Sequence, residues 1–183
     1  AEEWNPAYLG QIKIPLSSIE PLEMSERKVI ARRALLEIAP GSVTNLGIGV
    51  PEGVAKTANE EGVLDDLILS VEAGPTGGIP ASGLSFGAAS NPWCITDQPA
   101  QFDFYDGGGL DVTCLGAAQV DSAGNANVSR FGPKLPGCGG FIDISQNAKR
   151  LFFMGTMTAG AKLAVEDGKL RIKPLRELQS LRY

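Results

Sequence analysis

Histidine is absent from all 183 residues. Its absence excludes Ser–His and Cys–His activation of a nucleophile, imidazole general-base chemistry and histidine metal ligation together. Cysteine is scarce: Cys94, Cys114 and Cys138 are odd in number, widely spaced and form no C-x-x-C pair, so the simpler reading is a chain kept in a reducing compartment. No stretch approaches the roughly 20 apolar residues that cross a bilayer, and the opening Ala1-Glu2-Glu3-Trp4 is acidic where a signal peptide is basic. There is no long basic run, and 21 acidic against 16 basic side chains leave a net charge of −5, which argues against nucleic acid as the principal ligand. These absences predict a cytoplasmic chain with neither a membrane nor a nucleic-acid partner. The chain also begins without methionine, which reads as part of something longer. The chemistry left to it runs on carboxylates, backbone amides, lysine, hydroxyls or a ligand, with no metal site.

What is present is a 43% hydrophobic composition with 23 glycines and 12 prolines, enough for one core with many tight turns. Residues 1–24 read as an extended arm or interdomain linker, punctuated by prolines over 5–24, and residues 25–183 as a single α/β domain. Ser25 is placed to cap a helix with Glu26 in its first turn and Val29, Ile30, Ala34, Leu35 and Ile38 on an apolar face. Arg27, Lys28, Arg32 and Arg33 on that helix read as a solvated face. A strand over 42–48, a helix from Pro51 to about Glu60 and a strand over 67–71 make a parallel crossover unit. Further along, a short helix is expected over 97–105, strands over 111–115, 118–120, 126–130 and 151–154, a helix over 141–149, and a hairpin over 164–172 turning at Asp167-Gly168.

Leu67-Ile68-Leu69-Ser70-Val71 has the length and composition of a buried strand, so Glu72 stands where that strand runs into the loop Ala73-Gly74-Pro75-Thr76-Gly77-Gly78. Open α/β sheets put their ligands at such strand ends, yet a lone glutamate there also serves as a turn cap. Asn45-Leu46-Gly47-Ile48-Gly49-Val50-Pro51-Glu52-Gly53 lies between strand and helix but fails the G-x-G-x-x-G spacing, with Glu52 where the third glycine belongs. Gly83-Leu84-Ser85-Phe86-Gly87 matches the serine nucleophile elbow, but no histidine exists to serve it and the segment sits in a long loop. Cys138, in a glycine run before a helix, reads as a small buried side chain. Gly107-Gly108-Gly109 and Gly137-x-Gly139-Gly140 are turns by default, and either can bring bare amides against a ligand oxygen. A strand-end carboxylate, glycine loops able to approach it and no histidine together suggest covalent carboxylate chemistry, for which an ionised glutamate needs no base but does need an activated acyl donor such as a thioester.

These segments in this order resemble the family I coenzyme A transferases, particularly the fused acetate/propionate group. The resemblance runs through Ser25-Glu26-Arg27-Lys28-Val29-Ile30, Asn45-Leu46-Gly47-Ile48-Gly49 and Val71-Glu72-Ala73-Gly74-Pro75-Thr76-Gly77-Gly78. It continues through Gln101-Phe102-Asp103-Phe104-Tyr105-Asp106-Gly107-Gly108-Gly109, Gly137-x-Gly139-Gly140-Phe141-Ile142-Asp143 and Gly155-Thr156-Met157-Thr158-Ala159-Gly160. It implies an open, largely parallel or mixed sheet flanked by helices, the CoA-transferase/NagB-like fold. It also implies that Glu72 is the nucleophile of a ping-pong reaction passing through a glutamyl-CoA thioester, and that the amide of Gly140 helps hold the thioester oxygen. Asn45, Leu46, Gly47, Ile48 and Gly49 together with Gly137, Cys138, Gly139 and Gly140 would contact coenzyme A, which is a substrate and not a permanently bound cofactor.

The resemblance covers only the half that carries the nucleophile, the C-terminal or β half. It therefore implies a complementary half, fused or separate, that is needed for full activity, and assembly as a homo-oligomer. Two other readings of the same fold are a non-catalytic acyl-CoA-binding or assembly subunit and a relative of the sugar-phosphate isomerases.

Overall fold

The computed structural model describes residues 4–156, 161–167 and 169–174. The 157–160 part of the glycine–threonine motif and Gly168 of the expected turn lie outside those residues. In chain order the strands are β1 (Val43–Leu46), β2 (Ile68–Ser70), β3 (Pro75–Thr76), β4 (Ile79–Pro80), β5 (Ala89–Ser90), β6 (Cys94–Ile95), β7 (Val112–Leu115), β8 (Gln119–Val120), β9 (Ala126–Asn127), β10 (Arg150–Phe153), β11 (Ala161–Glu166) and β12 (Lys169–Pro174). The α-helices are α1 (Glu26–Leu35), α2 (Gly53–Glu60), α3 (Gln98–Phe104) and α4 (Phe141–Asn147).

Six strands form one sheet in the order β10-β7-β1-β2-β3-β6. Strands β10, β7, β1 and β2 run parallel, while β3 and β6 continue the sheet antiparallel. The β1–α2–β2 crossover is the expected unit, since parallel neighbours need a connection long enough to cross the sheet. No described helix is long and apolar enough to cross a membrane.

Strand alternation sends side chains to two different cores. On one face Leu46, Leu67, Leu69, Val112 and Cys114 meet α1 and α2 in a cluster completed by Ala31, Ala34, Val54 and Ala58. On the other, Val43, Leu115 and Leu151 meet α3 and α4 through Phe102, Tyr105, Leu110 and Ile144. Burial of Cys114 among these apolar groups pushes its thiol up to about 12, so it is inert packing.

Two expectations for α1 are corrected. Val29 is exposed, and the buried stripe is Ala31, Ala34, Leu35 and Ile38, the i, i+3, i+4, i+7 set. The reason is a close helix pair: a Cβ added at Gly53 of α2 would stand 3.1 Å from Ala31 Cβ, so small residues define the contact. Nor are the basic residues a uniformly solvated face, because Lys28 is largely buried on Glu60 at 2.5 Å, while Arg32 pairs with Glu61 and Arg33 with Glu37. The 5–24 segment is turned more than extended, with a 3₁₀ turn at Leu16–Ser18. It is tied down by reciprocal bonds between Ile14 and Asn91 at 2.9 Å and by Leu22 N–H donating to Glu60.

The stretch between Glu72 and Asn91, read from sequence as a loop, holds β3 and the β4–β5 pair. The elbow-like Gly83–Ser85 is a 3₁₀ turn inside it, with Leu84 exposed at its tip. Helix α3 opens on Asp97, whose side chain accepts from Ala100 N–H at 2.8 Å, and runs into a π-helical turn over Tyr105–Gly109.

Candidate active site

The carboxyl ends of all four parallel strands empty into one groove of about 670 Å³. Strand β1 delivers Gly47 and Ile48, β2 delivers Glu72, β7 delivers Leu115 and Gly116, and β10 delivers Met154 and Gly155. The remaining wall comes from Phe86 on one side and from Cys138, Gly139, Gly140 and Phe141 on the other. This is the crevice outside the strand ends where open α/β sheets bind their ligands.

Glu72 is held by backbone, not by its side chain. Val71 N–H donates to Pro75 O and Gly74 N–H to Val71 O, both at 2.9 Å, which folds residues 71–74 into a tight turn joining β2 to β3. Gly74 is obligatory there: its φ is +126°, and an added Cβ would lie 2.0 Å from Thr96 O. The turn presents a half-buried carboxylate with no hydrogen-bond or ion-pair partner among the described residues. Burial therefore raises its pKa above the ordinary glutamate value. An unpaired carboxylate in a groove wall contributes nothing to folding that a neutral side chain would not.

Gly140 meets this carboxylate. A Cβ there would stand 2.8 Å from Glu72 Oε2 and 2.6 Å from Phe102 Cζ, so backbone, carboxylate and ring converge where no side chain fits. Gly140 is also the N-cap residue of α4, and its own N–H makes no backbone hydrogen bond among the described residues.

Beneath the groove lies a transverse polar row. The register pairs Thr113 with Asn45 and Asn45 with Ser70 across β7, β1 and β2, and all three residues are buried. Thr113 Oγ1 donates to Asn45 Oδ1 at 3.1 Å, Asn45 Nδ2 donates to the Tyr105 hydroxyl at 3.4 Å, and Ser70 Oγ shares a 2.9 Å bond with the same hydroxyl. Tyr105, wholly buried, has its pKa raised by that burial; hydrogen bonds from the row oppose the shift and the nearby Glu72 charge adds to it, so the phenol stays neutral.

Of the residues singled out from sequence, the groove brings together Glu72, Gly47, Ile48, Cys138, Gly139 and Gly140. Asn45 is turned into the polar row, Leu46 into the α1–α2 core, and Gly49 and Gly137 stand outside the lining. Leu115 and Met154 had no sequence signal as site residues, because each reads as ordinary core, and Phe86 stood in an elbow motif set aside for want of a histidine. Of the two glycine runs, 107–109 turns away from the groove: a Cβ at Gly109 would meet the Phe104 ring at 2.3 Å.

No family model matches the chain. It is 48% identical over 182 residues to the acetate CoA-transferase YdiF of Escherichia coli K12, an alignment covering 95% of this chain and 34% of that protein. It is 33% identical over 141 residues to a probable coenzyme A transferase subunit beta of Bacillus subtilis, covering 71% and 64% of the two chains. Among solved structures it matches the acyl-CoA transferase YdiF of E. coli O157:H7 as apoenzyme, with a TM-score of 0.80, 45% identity and coverage of 93% and 32%. It also matches the thioester complex of that protein with CoA, with a TM-score of 0.73, 46% identity and coverage of 86% and 30%. The chain thus spans about a third of the length of the YdiF proteins it matches.

Proposed function

We propose that this chain belongs to the family I coenzyme A transferases, as the part that corresponds to a β subunit, and that it transfers coenzyme A between a short-chain acyl-CoA and a carboxylic acid through a glutamyl-CoA thioester on Glu72. The observation that carries this reading is the unpaired, half-buried Glu72 carboxylate facing a groove over four strand ends, with Gly140 against its Oε2. Partial burial strips water from the carboxylate, which makes it a better nucleophile than an exposed glutamate.

In the first half-reaction a Glu72 oxygen attacks the thioester carbonyl, the C–S bond breaks, and CoA leaves as thiolate from an acyl–glutamyl anhydride. The thiolate then attacks the Glu72 carbonyl carbon, expelling the acyl group as its carboxylate and leaving Glu72 as a CoA thioester. In the second, the acceptor carboxylate attacks that thioester and the same two steps run in reverse, releasing the new acyl-CoA and free Glu72. No proton has to be moved, which suits a chain without histidine. Each addition places negative charge on a carbonyl oxygen, and the N–H of Gly140 is the donor assigned to it. Gly47, Ile48, Cys138 and Gly139 line the path for the CoA thiol end. The relatives are about three times as long, or are one subunit of a pair; the complementary half completes the site, and the assembly is an oligomer working in the cytoplasm.

The test is mass spectrometry of the complete enzyme, both halves present, after incubation with acetyl-CoA. A CoA-sized adduct mapping to Glu72, absent in Glu72→Gln, is expected; reproducible absence of any adduct on a turning-over enzyme rejects the covalent route.

A further inference from the structure

The polar row under Glu72 calls for an explanation. Placing Thr113, Asn45, Ser70 and the Tyr105 hydroxyl in the interior sacrifices apolar packing on the α3–α4 face, where the same strands otherwise carry Val43, Leu115 and Leu151. Each buried polar group costs free energy unless its partners are in place. The row gains no ligand contact of its own, because none of its four members lines the groove.

Its location answers the question. Ser70 is the last residue of β2 and directly precedes the 71–74 turn that presents Glu72. The hydroxyl that holds Ser70 therefore anchors the strand end from which the turn carrying the carboxylate springs. Tyr105 also touches the site from below. Its ring stands edge-on to Phe102 with centroids 5.7 Å apart, and Phe102 is the ring whose Cζ crowds Gly140 beside Glu72 Oε2. One helix end thus supplies both the floor under the carboxylate and the anchor for its strand. Gln101, a turn earlier on α3, leaves its Nε2 buried without a close partner, and the polar group it approaches is the same phenol. Asn45 Nδ2 donates to the phenolic oxygen, and the phenol shares with Ser70 Oγ a bond in which either oxygen can donate.

We propose that Tyr105 is a positioning residue for Glu72: its hydroxyl locks the Thr113–Asn45–Ser70 row to α3 and so fixes where the carboxylate stands relative to Gly140 and the groove. The inference rests on the reading of Glu72 as the nucleophile. Because the row runs through β1, β2 and β7, it ties together the strand ends that deliver Gly47, Glu72 and Gly116, and acts as a clamp across the groove floor. Loss of the clamp displaces the reacting atom without removing any group that touches substrate. Misplacements of about 1 Å at a reacting centre cost on the order of a hundredfold in rate.

The experiment uses the complete enzyme carrying Tyr105→Phe, which keeps the ring and its packing. The rate of CoA-adduct formation on Glu72 is followed against acetyl-CoA concentration and pH. The expected result is a fall of about 10- to 100-fold in the saturating rate, a half-saturating concentration changed by less than about threefold, and an acid limb of the pH profile moved to higher pH as a polar neighbour of Glu72 is lost. Ser70→Ala should move the same three readouts in the same direction, and the double variant should be no worse than the poorer single one, since the two share one bond.

A merely structural role would lower the thermal midpoint while leaving rate per folded molecule and pH profile at wild-type values; that result overturns the proposal. If Tyr105→Phe does not accumulate as folded protein, Ser70→Ala decides on the same criteria. Absence of a Glu72 adduct in the wild-type enzyme would defeat the reading of Glu72 itself, whereas a normal wild-type adduct with indifferent variants defeats the positioning role alone.

Discussion

The two ends of the parallel strands treat carboxylates in opposite ways. At the amino end, Asp111 precedes β7, accepts from Val43 N–H at 2.9 Å and pairs with Lys149 at 2.7 Å. Nearby, Arg150 at the start of β10 bonds both the backbone carbonyl and the carboxylate of Glu37. The lysine and the backbone donor hold Asp111 below its ordinary pKa, just as Arg33 and Arg150 do for Glu37. At the carboxyl end, Glu72 is raised by burial and has no described partner. A carboxylate with a partner on each oxygen belongs to the architecture, and one left unanswered in a groove wall is available to a ligand. The contrast is sharper than any motif, because both residues sit at strand ends in similar polypeptide contexts.

Glu72→Gln should separate the two ends most strongly. Transfer by the complete enzyme is expected to fall by at least about a thousandfold, the scale on which loss of a covalent nucleophile registers. The same variant should be no less stable than wild type at pH 7. The sign follows from the raised pKa: between the unfolded value and the folded one the native state binds more protons than the unfolded state, so Glu72 costs stability as pH rises through that window. The variant's thermal midpoint should therefore exceed the wild-type value at pH 7, with the gap closing below pH 4.5, the reference value for glutamate. A variant that melts earlier at neutral pH would return Glu72 to the role of turn cap.

Gly140→Ala comes next. The added methyl cannot coexist with Glu72 Oε2 and the Phe102 ring where they stand, so adduct formation should drop about a hundredfold and stability by about 1–3 kcal/mol. Unchanged kinetics would show that the carboxylate does not need its present position. Asp111→Asn should give the smallest effect, the mirror image of the first. Activity should stay at wild-type level while stability at pH 7 falls by about 0.5–1 kcal/mol, a range set by partial exposure of the pair. For this group the folded pKa is depressed, so its contribution is present above the unfolded value of 3.8 and disappears as pH drops through the folded one. Urea titrations at pH 7 and pH 3 would register that difference, and loss of activity without loss of stability would erase the distinction between the two ends.

The place of Glu72 just past a strand end was legible in the sequence, because a β-rich run that stops at a charge and then at glycines marks where a strand gives way to a turn. The crossover from β1 through α2 to β2 was legible for the same reason, a change of period between glycine turns. The hairpin that holds Glu72 was not, since β3 is two residues long and carries no alternation to detect. Tyr105 was hidden by distance: its partners Ser70 and Asn45 lie 35 and 60 residues away, and nothing local in Phe104-Tyr105-Asp106 announces a buried hydroxyl. Asn45 misled in the other direction, as its place in a glycine loop suggested a ligand contact while its strand register turned it inward. The stripe on α1 went astray because alanines read as neutral filler, although here they set the spacing between helices.

The glycines around the groove differ in what they would tolerate. Gly140 and Gly74 admit no side chain, and Gly47 would press on Leu115 at 3.1 Å. Gly116, at the end of β7, has no left-handed φ, and an added Cβ there would meet only Ile48 O at an ordinary 3.7 Å. The lining thus admits no side chain where Gly140 meets the carboxylate and leaves room for one at Gly116. An engineer wishing to reshape what the groove admits should diversify position 116 first, because bulk can grow there while Glu72, Gly140 and Phe102 keep their present contacts.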